Sequence, residues 1–125
     1  GTIDVIASGP DPRGPEDKRL PFADAEPGMA GAETLLALTL GLVRDGVIDT
    51  ARAFELLASN PAVLLGANAG RLELGTEADL ALVDPDKPWI VNSDKMAATA
   101  GNTPFDRQGV QGRVLALFKG GLQVS

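Results

Sequence analysis

The sequence has 125 residues, 44% of them hydrophobic, with 11 basic against 17 acidic side chains and a formal net charge of −6, which suits one globular domain or a piece of a larger one. An acidic chain with four Phe, one Trp and no Tyr offers neither a cationic surface for phosphates nor a set of stacking rings, so no nucleic-acid partner is expected. With no His and no Cys, disulfides, thiolate nucleophiles, zinc–sulfur sites and the usual general base are excluded, leaving carboxylates, Lys, Arg, hydroxyls and backbone groups for chemistry.

In chain order, Thr2 to Ser8 carries Ile3, Val5, Ile6 and Ala7, a composition that predicts a short strand covered on both faces. The segment that follows offers it no neighbour, so we expect a strand separated from its sheet, and hence a piece of a larger fold; Gly1 in place of an initiating Met agrees. Residues 9 to 28 are rich in Pro, Gly and charge and predict a long loop. A helix is expected from Ala32 to Arg44, with Leu35, Leu36, Leu38, Thr39, Leu42 and Val43 supplying a broad apolar face and Gly46 as its stop. Asp49 is the expected N-cap of a second helix, Thr50 to Ala58, with Ala53, Phe54, Leu56 and Leu57 turned inward. Ser59-Asn60-Pro61 should stop it and start a third, Pro61 to Leu65, ending near Gly66.

Beyond Gly66 the period changes. Leu72 to Leu74, Ala78 to Val83, Trp89 to Val91, Arg113 to Phe118 and Leu122 to Val124 are short β-type runs, expected to pack as a small sheet or sandwich. Gly120-Gly121 predicts a hairpin turn, Asp84-Pro85-Asp86 a turn, and Ser93 to Ala98 a weak helical turn. No apolar segment approaches the roughly 20 residues of a membrane span, and no basic region precedes one. We therefore expect no membrane partner and a cytoplasmic setting.

Several segments together resemble dihydroorotase and related cyclic amidohydrolases such as hydantoinase and allantoinase. Ser59-Asn60-Pro61-Ala62 with Leu64-Leu65-Gly66, and the run from Gly70 to Pro85, are similar to the passage in which that superfamily leaves its barrel. Pro27 to Leu36, Asn102-Thr103-Pro104-Phe105 and Gly112-Arg113-Val114 resemble dihydroorotase in particular. The resemblance implies an α/β fold. Residues 1–66 would form the last strand, a substrate-type loop and helices at the end of a (β/α)8 barrel, and residues 67–125 a small β-rich composite domain.

The resemblance also implies site residues. Backbone groups of Pro27 and Gly28 would contact the substrate ring, which suits a Gly that lets backbone approach a ligand. Where the family has Asp-His-x-Pro-His, this chain has Gly9-Pro10-Asp11-Pro12-Arg13. Gly9 stands in the place of the catalytic Asp, so no catalytic residue is expected here. Arg13 replaces the final His and is the candidate to hold a substrate carboxylate in its planar fork, against the plainer reading of an exposed loop Arg. Asp11 reads as a solvated loop carboxylate, Glu33 as a cap or a holder of the loop, and Trp89 as packing. No metal ligand and no cofactor is expected in this chain; zinc is implied for a full-length family member.

By resemblance, the function is that of the C-terminal part of a dihydroorotase, which reversibly hydrolyses dihydroorotate to N-carbamoyl-aspartate in pyrimidine biosynthesis, inactive as this chain alone. Its partner would be dihydroorotate or a similar cyclic amide. The alternative is a catalytically silent homologue serving as a structural subunit with aspartate carbamoyltransferase; a homodimer is also expected to be open to it.

Overall fold

A computed structural model describes residues 1–98 and 100–125. Among the described residues, four α-helices, α1 (Pro15–Lys18), α2 (Leu35–Arg44), α3 (Thr50–Phe54) and α4 (Asn60–Leu65), precede three strands, β1 (Leu80–Ile90), β2 (Gly109–Lys119) and β3 (Leu122–Gln123), and a 3-10 turn, Ser93–Lys95, lies between β1 and β2. The strands form one antiparallel sheet in the order β1-β2-β3, and α2 lies against β2. None of the described helices is long and apolar enough to cross a membrane.

The helix ends follow local chemistry. After α2, Gly46 takes φ +71°, and the bonds from Gly46 N–H to the Val43 carbonyl and from Val47 N–H to the Leu42 carbonyl, each 3.0 Å, form a Schellman closure. Gly66, at φ 64°, closes α4 in the same way, with Ala67 N–H on the Ala62 carbonyl. Asp49 caps α3 as expected, its carboxylate accepting the Arg52 N–H at 2.7 Å. The start of α2 comes three residues later than expected: Ala32–Thr34 is a turn, and the Thr34 hydroxyl donates to the Gly31 carbonyl instead of capping the helix.

Ser59-Asn60-Pro61 does not stop the second helix. A π turn at Glu55–Ser59 carries the chain into α4. Pro61 has no N–H and its ring would crowd the carbonyl four residues back, a conflict that a locally widened turn accommodates. Ala53 and Leu56, three positions apart, are buried on one face, whereas Phe54, expected inward, is exposed.

Thr2–Ser8 is extended but belongs to no sheet. Its backbone meets helical partners instead: Ile6 N–H donates to the Leu56 carbonyl at 3.0 Å, and the Arg52 and Asn60 side chains donate to the carbonyls of Ile3 and Asp4. A strand is defined by its ladder, and composition alone does not supply one. Leu72-Glu73-Leu74 likewise forms no strand. Arg71 pairs with Glu73, whose carbonyl accepts from Thr76, and positive-φ glycines flank the run at 70 and 75.

Two of the expected β runs merge into the single strand β1. Its register against β2 slips at Leu82/Val83 and again between Asp84 and Pro88. The turn chemistry expected of Asp84-Pro85-Asp86 is present, with the Asp84 carboxylate accepting the Asp86 N–H at 3.0 Å, but the excursion is absorbed as a bulge. Across from it, Gly112 is buried at φ +105°, and a Cβ there would come within 2.5 Å of Leu40 Cδ1. The Trp89 indole N–H donates to the Gly112 carbonyl at 2.9 Å, and the Arg113 guanidinium lies 5.1 Å from the ring centroid. Trp89 is therefore packing, and the helix meets the sheet where Gly112 leaves room for Leu40.

The Gly120-Gly121 hairpin has positive φ at both residues, +56° and +82°, as a two-residue turn that follows the strand twist requires. Asp79 ties it to the start of β1. Its carboxylate pairs with Lys119 and accepts the Gly120 N–H at 2.8 Å. The Lys119 bond, then the Gly120 N–H, hold the Asp79 carboxyl below the usual carboxylate range, and Lys119 is raised in return. A depressed carboxyl contributes stability that is present above its unfolded value, near about 4, and is lost as pH falls through the folded value. We expect the hairpin to loosen on acidification below about pH 4. The Gly120 and Gly121 Hα shifts should report a midpoint that disappears in Asp79→Asn; an identical midpoint in that variant would assign the transition to another group.

Candidate functional site

The residues singled out by sequence meet where three segments converge: the loop Gly9–Gly14, the loop Pro27–Ala30 and the irregular segment at Asn102. Pro10 and Pro12 stiffen the first loop and remove two of its donors. Asp11 N–H donates to the Met29 carbonyl at 3.0 Å. Gly28, at φ +116°, lies so close to Asp11 that a Cβ would be 2.3 Å from the Asp11 carbonyl oxygen. Only Gly permits both that angle and that approach.

Asn102 joins the two loops. Its Oδ1 accepts the Arg13 backbone N–H at 3.0 Å, its Nδ2 donates to the Gly28 carbonyl at 2.8 Å, and its own carbonyl accepts the Ala30 N–H at 2.9 Å. The chain on either side of it is held in place. Glu33 accepts the Ala97 N–H at 2.7 Å, so it holds the loop, one of the two structural roles expected of it. Asp106 accepts the Ser93 N–H at 2.8 Å, and that bond, with the nearby Arg107, keeps its carboxyl below the usual range.

Arg13 is half-buried, and its Nη2 pairs with the Asp11 carboxylate at 2.8 Å. Its Nε is buried without a partner among the described residues. The residue borders an open cleft of about 570 Å³ whose walls include Lys18, Ser93, Asp94, Met96 and Asn102. Pro27 is exposed and Gly28 half-buried beside this junction. Gly9, at φ +47°, faces open space. Further shallow clefts flank Trp89, one of about 490 Å³ between Glu33, Lys95 and Arg113, but they bring together no base and nucleophile.

The convergent groups are hydrogen-bond donors and backbone carbonyls; of the carboxylates nearby, Asp11 is paired with Arg13 and Asp94 stands on the cleft wall. Such a surface can hold an anionic or amide-bearing ligand. Sequence reasoning assigned no role to Asn102. Its signal was an Asn directly ahead of Thr-Pro, a residue whose side chain commonly bonds backbone, but its partners are 74 and 89 positions away.

The sequence pattern of the Amidohydrolase family matches residues 25–124. Among curated proteins, the chain is 39% identical over 121 residues to the dihydroorotases of Pelobacter propionicus and Geobacter metallireducens, covering 97% of this chain in each case. It spans 28% of the length of those relatives. Among solved structures, the dihydropyrimidinase from Brevibacillus agri superimposes with a TM-score of 0.89 at 22% identity, covering 97% of this chain and 28% of that one. A D-hydantoinase from Bacillus sp. AR9 gives 0.87 at 21% identity, with the same coverage. The likeness to these two structures is one of fold.

Proposed function

Because the chain belongs to the amidohydrolase family, we propose that it is the C-terminal part of a dihydroorotase-type enzyme of pyrimidine biosynthesis, contributing substrate-facing groups but not the reacting ones. The observation that carries this reading is the junction of Arg13, Gly28 and Asn102 in a chain 39% identical to dihydroorotases. In this reading the Arg13 guanidinium, oriented by Asp11, holds the carboxylate of a cyclic amide such as dihydroorotate. The Gly28 carbonyl is taken by Asn102, so the Pro27 carbonyl and the Gly28 N–H are the backbone groups offered to the ring. Residues 1–66 would complete the end of a barrel and residues 67–125 a composite domain.

Zinc, which the resemblance implies for the family, does not fit this chain's donors. The sequence has no His or Cys, and among the described residues no three carboxylates converge. Gly9 at the expected place of an acidic residue favours a second reading, a silent homologue in complex with aspartate carbamoyltransferase or with a second copy of itself.

Ring opening of dihydroorotate, followed in the ultraviolet, tests both. We expect no turnover by the 125-residue chain, and none from Gly9→Asp, because an added carboxylate would be one part of a site for which this sequence supplies no His or Cys ligand. Turnover by the unmodified chain above the buffer rate would overturn the assignment. Activity in a longer protein carrying this sequence supports the enzyme reading; an inactive longer protein that co-purifies with aspartate carbamoyltransferase supports the silent one.

A further inference from the structure

We propose that Asn102 is the positioning residue of the candidate site: its carboxamide locks the Gly9–Gly14 loop to the Pro27–Ala30 loop and so fixes where Arg13 presents its guanidinium. That Arg13 and Gly28 face a substrate rests on the function proposed above. The locking itself does not.

A carboxamide carries an acceptor and donors on one short stem, and Asn102 uses both in opposite directions. Oδ1 takes the Arg13 N–H at 3.0 Å and Nδ2 gives to the Gly28 carbonyl at 2.8 Å. Aspartate would keep the first bond and lose the second, and alanine would lose both. The other direct bond between the two loops among the described residues runs from Asp11 N–H to the Met29 carbonyl. With prolines at 10 and 12, Asp11 and Arg13 supply two of the four amide donors of the first loop, and both are committed to this junction.

Asn102 can serve as a lock because its own backbone is fixed. Its carbonyl holds the Ala30 N–H, and Gly101 packs so tightly that a Cβ there would come within 2.2 Å of the Ser93 carbonyl oxygen. Glu33 and Asp106 anchor the preceding turn at Ala97 and Ser93. Asp11 then clamps one end of the Arg13 guanidinium, while Asn102 clamps the Arg13 backbone. The orientation of the unpartnered Nε is thereby set from both ends.

Hydrogen exchange read by mass spectrometry, on the protein carrying this sequence, tests the proposal. A peptide of residues 9–14 reports essentially on Asp11, Arg13 and Gly14. In Asn102→Ala we expect that peptide and one spanning Ala30 to exchange on the order of tenfold faster, as loss of their bonds implies, with β1 and β2 unchanged. In Asn102→Asp the Arg13 amide should stay protected while the Gly28–Ala30 side loosens, a split that a merely structural role would not produce. Unchanged exchange in both loops of folded Asn102→Ala overturns the proposal. Should that variant unfold the sheet, Asn102→Asp decides: its split supports the lock, and a uniform change or none overturns it. Calorimetric titration with dihydroorotate separates the two readings. If the unmodified protein does not bind it while Asn102→Ala still frees both loops, the substrate assignment fails and the lock stands; if it binds, Arg13→Ala and Asn102→Ala should both weaken binding.

Discussion

Truncation of Leu40 to alanine is expected to destabilise the chain by about 4 kcal/mol, near the upper end for such a change. Among the buried hydrophobic residues described, Leu40, Leu56 and Val91 alone are larger than alanine. Leu40 is 2% exposed and seats α2 on β2 beside Gly112, so its removal empties the seam between helix and sheet. Urea denaturation should show a lower midpoint with an unchanged slope. A loss below about 1 kcal/mol would mean that the neighbours close over the cavity. Gly112→Ala should be costly by itself, from its φ of +105° and from the approach of its Cβ to Leu40. The double variant should then cost less than the sum, because alanine at 40 removes the collision but not the strained angle.

Substitution of Gly28 by alanine should open the loop junction, at a cost of about 2–4 kcal/mol. The new Cβ would lie 2.3 Å from the Asp11 carbonyl oxygen and 3.1 Å from the Asp11 Cβ. Neither is the end of a flexible side chain, so one of the two backbones must move. Trypsin reads the result, because Arg13 lies in the loop that would be displaced. We expect cleavage after Arg13 to accelerate at least about tenfold through a larger open population. Gly9→Ala is the comparison: it also strains a positive φ, but its Cβ meets nothing within 4 Å. An equal acceleration in the two variants would show that backbone strain, not the Gly28–Asp11 contact, governs the loop.

The Asp49 cap, the Gly46 and Gly66 helix ends and the Gly120-Gly121 hairpin were legible in the sequence because each is satisfied within a few residues. The family was legible for a related reason: its motifs are contiguous words such as Asn102-Thr103-Pro104-Phe105. Three features depended on distant parts of the chain. Thr2–Ser8 has strand composition, but whether it pairs is decided by what lies beside it, which is a helical segment around Leu56. The two runs on either side of Asp84-Pro85-Asp86 became one strand because β2 continues past the bulge, with Gly112 bending where Leu40 packs. The junction of Arg13, Gly28 and Asn102 exists only once residues 74 and 89 positions apart meet. Periodicity and turn chemistry fix what a segment can form locally; which backbone groups remain to be satisfied, and by whom, is set by packing across the whole chain.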